Sequence, residues 1–200
     1  MSSSFLPHTY KPKASSKMLS KSFILSLVGI TAATACTGPK VNSATVDLIT
    51  EFEGWSSTIY RDPAGYPTVG YGHLCSDSKC SDIKYSIPLS KADGRKLLQS
   101  DLTPAQNCIT LDTKSKVVLN ANQYGAFVSW AFNIGCGAAK TSTLMKRLNA
   151  GENPNTVAAK ELPKWKYGGG KVLPGLVRRR AAEVALAKKA TRDKALPACS

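Results

Sequence analysis

Residues 51–73 read EFEGWSSTIYRDPAGYPTVGYGH, and most of this stretch predicts a β-hairpin. The segment STIYRD, residues 57–62, is rich in strand-forming residues. The segment DPAG, residues 62–65, is typical of a type I turn, because Pro63 occupies its second position and Gly65 its fourth. The segment YPTVGYG, residues 66–72, then alternates like a return strand. We therefore expect Asp62 at the tip of the hairpin and Thr68 on its second strand.

The residues before the hairpin predict an amphipathic helix that ends near Glu53. The segment NSATVDLITEFEG, residues 42–54, begins with a capping residue, Asn42 or Ser43, and carries apolar residues at helical spacing. Gly54 supplies a residue that leaves a helix easily with positive φ. The negative end of the helix dipole opposes ionisation of Glu53, and this favours the protonated carboxyl that a general acid needs.

An acid, a second carboxylate and a hydroxyl on three separate elements are the groups needed to cleave a glycosidic bond. Each residue alone has an ordinary explanation, since Asp is common in turns and Thr in strands. Their joint spacing is more informative. Asp62 lies nine residues after Glu53, Thr68 lies six residues after Asp62, and the motif GYGH follows at residues 70–73.

With Glu53-Gly54, Asp62, Thr68 and GYGH in this order, the chain resembles the phage-type lysozymes, glycoside hydrolase family 24. Later segments are also similar to that family: NQYGAFVSWAFNIGCG at 122–137, TSTLMKRLNAG at 141–151, WKYGGG at 165–170 and GLVRRRAAE at 175–183. The resemblance extends over residues 43–186 and implies that Glu53, Asp62 and Thr68 are the catalytic residues.

The resemblance implies an α+β, mainly helical, lysozyme-like fold with two lobes. We expect a small β-hairpin lobe over about residues 43–90 and a helical lobe over about residues 91–200. Ser90 caps a predicted long helix that runs toward Cys108 and, in the family, connects the lobes. Both lobes form one catalytic domain, residues 36–200, because the chain is long enough for one substantial core but not for two independent ones.

Residues 1–35 are predicted to be a signal region that is removed on export. Lys17 and Lys21 flank Met18, the apolar run FILSLVGITA follows at 23–32, and residues 33–35 form a small-residue cleavage site. Met18 is an alternative start, because residues 1–17 are polar without periodicity. The apolar run is too short for a stable membrane anchor. We therefore expect a secreted, extracellular protein.

The chain is strongly basic, with a formal net charge of +14 at pH 7. Removing residues 1–35 lowers this charge to about +10, because that segment carries four lysines and no acidic residue. Such a charge favours an anionic partner, although it is also compatible with solubility alone. Nucleic acid is excluded by the export signal and by the absence of zinc-finger, phosphate-loop or RNA-binding motifs. Bacterial peptidoglycan, with its peptide carboxylates and associated phosphates, is the expected partner.

Six cysteines, at positions 36, 75, 80, 108, 136 and 199, all follow the predicted cleavage site. An even number in an exported chain predicts disulfides rather than a metal site, and we expect no metal and no cofactor. Six cysteines allow fifteen pairings, and the sequence does not choose among them. The preferred set is Cys36–Cys199 across the chain ends, Cys75–Cys80 as a local closure and Cys108–Cys136 between helices.

Further residues are candidates for structural or binding roles. His73 is expected to be structural and paired with Asp101, rather than a catalytic base, since the family uses no catalytic histidine. Trp165, beside a glycine run, is the tryptophan expected to face the cleft. Asn133 either caps its helix or binds sugar.

The arginine run near the C-terminus offers three further side chains. Arg179 and Glu183, four residues apart, are expected to form a structural ion pair on the helix surface, worth about 0.3–0.5 kcal/mol. Arg178 and Arg180 are candidates for binding a substrate carboxylate, and helical rotation prevents all three arginines from facing the cleft.

The resemblance implies a muramidase that hydrolyses the β-1,4 bond between N-acetylmuramic acid and N-acetylglucosamine. An acid on a helix end and a carboxylate across a hairpin tip leave room for a water molecule, which predicts inversion at the anomeric carbon. The alternatives are a non-enzymatic cationic protein that binds bacterial walls, and a chitinase. A monomer is expected, because the enzyme must enter a polymer mesh.

Overall fold

The computed structural model describes residues 36–62 and 64–198, which all belong to one compact unit. The predicted signal region lies outside the described residues. Within the described part the helices are α1 (Ser43–Phe52), α2 (Lys91–Asp101), α3 (Thr103–Asp112), α4 (Ala121–Ile134), α5 (Cys136–Thr141), α6 (Thr143–Asn149), α7 (Pro154–Glu161) and α8 (Pro174–Lys188). The strands are β1 (Ser56–Arg61), β2 (Pro67–Gly70), β3 (His73–Leu74), β4 (Leu119–Asn120), β5 (Tyr167–Gly168), β6 (Lys171–Val172) and β7 (Lys194–Leu196). The α+β, mainly helical fold is confirmed.

The predicted hairpin is present as the first two strands of an antiparallel sheet with the order β1-β2-β3. Tyr60 on β1 lies opposite Thr68 on β2, which in turn lies opposite Leu74 on β3. The turn between β1 and β2 is closed by the Gly65 N–H, which donates to the Asp62 carbonyl at 2.9 Å. Gly65 has a φ of +89°, a conformation that disfavours any residue with a Cβ atom.

The helix ends follow the local signals in the sequence. The Asn42 side chain caps α1 by accepting from the Thr45 N–H at 3.0 Å, and Glu53 is the residue at which α1 ends. Ser90 caps α2 by accepting from the Asp93 N–H at 3.1 Å. These hydrogen bonds define the N-terminal ends of α1 and α2.

The single long helix predicted from Ser90 toward Cys108 is wrong. The structure has two helices, α2 and α3, which are separated at Leu102. Pro104 lies in the first turn of α3. Because proline has no N–H and its ring clashes with the preceding turn, it is tolerated at a helix start but interrupts a continuous helix.

The larger hydrophobic core surrounds α4, whose side chains Tyr124, Phe127 and Trp130 are fully buried. Helix α1 packs closely on it, since a Cβ atom at Gly125 would overlap the Thr45 hydroxyl. A smaller core lies under the β-sheet and is formed by Val69, Cys80, Leu89 and Leu97. Trp55 packs against both cores and so links the sheet to the helices.

Two of the three preferred disulfides are present. Cys75–Cys80 closes the loop after β3 with a Cα–Cα distance of 4.7 Å, and Cys108–Cys136 joins α3 to α5 with a Cα–Cα distance of 5.8 Å. Cys199 lies outside the described residues, so the pair Cys36–Cys199 stays a prediction. No helix in the described part of the chain has the length and apolar character needed to cross a membrane.

Candidate active site

Glu53 lies at the junction between α1 and the β-sheet. Its backbone N–H donates to the Ile49 carbonyl at 3.0 Å, which completes the last turn of α1. Its side chain is 25% exposed, and Oε1 accepts from Nη1 of Arg179 at 2.6 Å. Within the described residues Oε2 of Glu53 has no hydrogen-bond partner. One carboxyl oxygen is therefore fixed, and the other is free for a reacting group.

The contact with Arg179 places a positive charge beside Glu53. The sequence had predicted only the negative end of the α1 dipole at this position. The two residues are 126 positions apart in the chain. The guanidinium carbon of Arg179 also lies 6.0 Å from the centroid of the Phe52 ring. Arg179 is thus held beside the end of α1 by the residue before Glu53 as well as by Glu53 itself.

Asp62 and Thr68 are joined through the backbone of Tyr66. Oδ1 of Asp62 accepts from the N–H groups of Ala64 at 2.9 Å and Tyr66 at 2.8 Å. The Thr68 hydroxyl donates to the Tyr66 carbonyl at 3.1 Å. Oδ2 of Asp62 accepts no hydrogen bond within the described residues. The turn therefore leaves one carboxylate oxygen free as an acceptor.

The geometry of Thr68 determines what its hydroxyl is able to do. The side chain lies on β2, 2% exposed, with its proton committed to the Tyr66 carbonyl. A hydroxyl oxygen that already donates still has lone pairs to accept from another group. Thr68 is therefore suited to accepting a hydrogen bond from a water molecule rather than to donating one.

The interpretation of Arg179–Glu183 as a surface ion pair is wrong, because both side chains are buried. Nε of Arg179 lies 3.3 Å from Oε1 of Glu183, which also accepts from the Ser129 hydroxyl at 2.8 Å. Arg179 donates further to the Ser129 carbonyl at 3.3 Å. The same guanidinium thus joins Glu53 at the surface to a carboxylate in the core.

Burial determines the electrostatics of this cluster. It raises the pKa of Glu183, against the opposing effect of the neighbouring guanidinium groups of Arg180 and Arg179. It also lowers the pKa of Arg180. Nε of Arg180 lies 3.1 Å from Oε2 of Glu183 but outside hydrogen-bond geometry. The charges of these groups are therefore compensated mainly by one another.

The structure does not support the prediction that Arg180 binds substrate. Its side chain is 1% exposed, and Nη2 donates to Oδ1 of Asn133 at 2.8 Å. Arg178, by contrast, is exposed, so its predicted contact with a substrate carboxylate stays a prediction. The sequence did not indicate which of the two arginines is exposed, because they lie close together near the start of α8. The packing of the helix decides which one faces outward.

Asn133 and Trp165 line the same surface pocket of about 390 Å³, together with Tyr167. Asn133 is exposed, and its Oδ1 accepts from Arg180, so its amide nitrogen is the group left to face a ligand. Trp165 packs edge-on against Trp130 at a centroid distance of 5.4 Å. The sequence placed both residues among the substrate-binding candidates, and the structure brings them to one pocket.

His73 lies between two carboxylates. Its Nδ1 is 2.9 Å from Oδ1 of Asp101, as the sequence suggested, and its Nε2 is 2.9 Å from Oδ2 of Asp82. Both ring nitrogens act as donors only in the imidazolium form. Burial lowers the pKa of His73, but the hydrogen bonds that the ring donates to Asp101 and Asp82 outweigh it and raise the pKa overall. Asp82 was missed because nothing in the sequence indicates that the Cys75–Cys80 loop returns to His73.

We expect the contribution of His73 to the free energy of unfolding to depend on pH. Because its pKa is raised on folding, this contribution is fully present below about pH 6.5, the unfolded value, and is lost as pH rises through the folded value. Burial acts to raise the pKa of Asp82, but the hydrogen bonds that it accepts from the Ser76 N–H and from His73 lower it to about 2, so its contribution is lost as pH falls toward that value. Burial raises the pKa of Asp101, so its contribution has the opposite pH dependence. The stabilising contributions of His73 and Asp82 are both present between about pH 4 and 6.5.

Denaturant unfolding of the wild type and of His73→Gln at pH 5.5 and 8.5 measures this effect. The wild type should lose about 1–2 kcal/mol more than the variant between the two pH values, since two charge-assisted hydrogen bonds are involved. Equal losses in both proteins would show that His73 is not charged in the folded state.

The described residues contain no group of three or more His, Cys, Asp or Glu side chains able to hold a metal ion. The chemistry available at the candidate site is that of a carboxyl group, a carboxylate and a hydroxyl. The most important residue missed by the sequence argument as part of this site is Arg179, which was expected at the surface.

Comparison with known proteins identifies the family of the chain. A sequence profile of the family described as phage lysozyme matches residues 50–183. An endolysin of Bacillus phage B103 is 38% identical over 145 residues, which cover 72% of this chain and 52% of that relative. An endolysin of Acyrthosiphon pisum secondary endosymbiont phage 1 is 38% identical over 147 residues, which cover 72% of this chain and 94% of that relative.

Among solved structures, the muramidase domain of SpmX from Asticaccaulis excentricus is 32% identical, with a TM-score of 0.62, over 76% of this chain and 99% of that domain. The chain spans about half the length of the Bacillus phage relative. The profile matches more than half of the chain and includes Glu53, the β-hairpin and the buried arginine cluster. The chain therefore belongs to the phage lysozyme family.

Proposed function

We propose that this protein is a secreted muramidase that hydrolyses the β-1,4 bond between N-acetylmuramic acid and N-acetylglucosamine in bacterial peptidoglycan. The observation that carries the proposal is the Glu53 carboxyl, which is fixed at Oε1 by Arg179 and unpartnered at Oε2 within the described residues. Family membership supports the same reaction, since solved relatives include a protein described as a muramidase domain. Six cysteines after a signal-like segment support export.

In the proposed reaction Glu53 is the general acid. Its proton resides on Oε2 and passes to the glycosidic oxygen as the bond from the anomeric carbon to that oxygen breaks. The role of Arg179 is to hold Oε1, so that the acid keeps one orientation while the substrate approaches Oε2.

Asp62 and Thr68 orient the water molecule that attacks from the opposite face of the sugar. The free Oδ2 of Asp62 accepts one water proton, and the Thr68 oxygen accepts a hydrogen bond from the other. The water oxygen bonds to the anomeric carbon, and the leaving sugar departs with the proton from Glu53. The product at that carbon is inverted, because no bond forms between sugar and enzyme.

Analysis of the products tests this proposal. Fragments released from purified peptidoglycan should end in N-acetylmuramic acid at the reducing end, as found by mass spectrometry. NMR of the first-formed reducing ends should detect the α-anomer before mutarotation. A glycosyl ester trapped on Asp62, or early accumulation of the β-anomer, would contradict inversion. Chitin oligomers cleaved as fast as bacterial walls would favour a chitinase.

A further inference from the structure

A basic groove lies at the opposite end of α1 from Glu53. Its volume is about 600 Å³, and its lining includes Lys40, Lys84, Arg95 and Lys96 but no acidic residue. It also reaches Ser43, the first residue of α1. With a helical rise of 1.5 Å per residue, Ser43 lies about 15 Å along the helix from Glu53. The groove is therefore distinct from the candidate catalytic residues.

The four cations of the groove are not equally compensated. Nη2 of Arg95 lies 2.5 Å from Oδ1 of Asp47, and Nζ of Lys96 lies 2.9 Å from Oδ1 of Asp93. Among the described residues, neither Lys40 nor Lys84 has a carboxylate within ion-pair distance. These two exposed ammonium groups face one cavity, and such an arrangement raises the local concentration of anions.

We propose that this groove, lined by Lys40, Lys84, Arg95 and Lys96, binds the phosphodiester groups of an anionic cell-wall polymer. The inference rests on the proposed function, because it gives the enzyme a second contact with the wall while Glu53 acts on the glycan. A cavity of about 600 Å³ accommodates a length of polymer rather than a single ion. The hydroxyl of Ser43 supplies a further donor along it.

The chemistry of the groove suits phosphate oxygens. The planar fork of arginine binds both carboxylates and phosphates in a bidentate way, whereas lysine binds phosphate as a point charge. The groove has one arginine, Arg95, and its Nη2 is already engaged by Asp47. The uncompensated cations are both lysines. A polymer of repeated phosphodiesters places one negative charge near each lysine, and this contact does not depend on a planar, bidentate geometry.

Binding of a glycerol phosphate polymer, measured by calorimetry, tests the proposal without any hydrolysis, because this probe has no glycosidic bond. The variant Lys40→Gln/Lys84→Gln should bind about 10- to 30-fold more weakly, since one lysine near an anionic surface contributes roughly fivefold. The matched control Lys188→Gln/Lys189→Gln removes the same charge outside the groove and should change affinity less than about threefold. Equal weakening in both variants would overturn the groove assignment.

Two further measurements distinguish the phosphate source from other wall anions. Poly-γ-glutamate of similar length should bind more weakly than the phosphate polymer, and equal binding would overturn the choice of phosphate. Lysis of phosphate-rich walls should slow in Lys40→Gln/Lys84→Gln, whereas walls stripped of phosphate with hydrofluoric acid should be lysed at the wild-type rate. Slower lysis of both wall types by the variant would also overturn the choice of phosphate. If the wild type lyses neither wall but still binds the polymer, the proposed function fails and the groove assignment stands.

Discussion

The variant Glu53→Gln should lose turnover of purified peptidoglycan by about 10³-fold or more, because a general acid contributes a factor of about 10²–10⁴ and glutamine has no acidic proton. Glutamine conserves the shape of the side chain, and its carbonyl oxygen is still able to accept from Arg179. The melting temperature should therefore change little. The release of soluble fragments, at equal concentrations of folded protein, measures this effect.

The matched control is Glu51→Gln, which makes the same substitution at an exposed position in α1, two residues earlier. This variant should retain nearly wild-type turnover. Lysis of bacterial cells by Glu53→Gln at the wild-type rate would instead support the alternative of a cationic protein that damages walls without cleaving them. The pair of variants separates the loss of the acid from a general effect of replacing a glutamate at the end of α1.

The elements around the site were predictable wherever their signals are local. The turn that carries Asp62 was predicted from proline and glycine at favoured positions, and in the structure the Gly65 N–H closes it. The end of α1 at Glu53 matches the end of the amphipathic segment, but the positive φ expected at Gly54 is wrong, because Glu53 itself leaves the helix in an extended conformation. Such features depend on a few neighbouring residues, so the sequence determines them almost alone.

The contacts of the site over long separations were not predictable in the same way. Arg179 reaches Glu53 across 126 positions, and a run of three arginines on a helix does not indicate which one enters the core. The spacing of Arg179 and Glu183 is the same for a surface pair and a buried one. The packing of α8 against α4, in which Arg179 donates to the Ser129 carbonyl, decides that the pair is buried. The ion pairs of Arg179 with Glu53 and Glu183 could therefore be identified only from the structure.

The break between α2 and α3 shows the opposite case, in which a local signal was present but was not given enough weight. Pro104 follows Leu102 by two residues, and a proline predicts either the start of a helix or its interruption. The prediction of one long helix rested on the capping signal at Ser90 and on the family resemblance. In the structure Leu102, which lies between the two helices, is fully buried. The capping signal therefore identified where α2 begins but not where it ends.

The variant Glu183→Gln should destabilise the fold by about 3–5 kcal/mol, the cost of removing one partner from a buried ion pair. Glu183 is 0% exposed and lies against two arginines, Arg179 and Arg180, whose charges have little access to water. Glutamine keeps the shape but leaves these guanidinium groups without the carboxylate. Denaturant unfolding measures the loss directly, and thermal unfolding should show a fall in melting temperature of about 10–15 °C.

Two comparisons separate this effect from a general sensitivity to charge. Glu152→Gln breaks an ion pair with Arg147 at a position that is 41% exposed, and it should cost far less stability than Glu183→Gln, because water screens surface pairs. Adding Arg180→Met to Glu183→Gln should recover part of the lost stability, because it removes the guanidinium that has lost its carboxylate, whereas Arg179 still contacts Glu53 in both variants. Simple additivity of the two substitutions would contradict this account, because it would mean that Arg180 and Glu183 do not stabilise each other in the core.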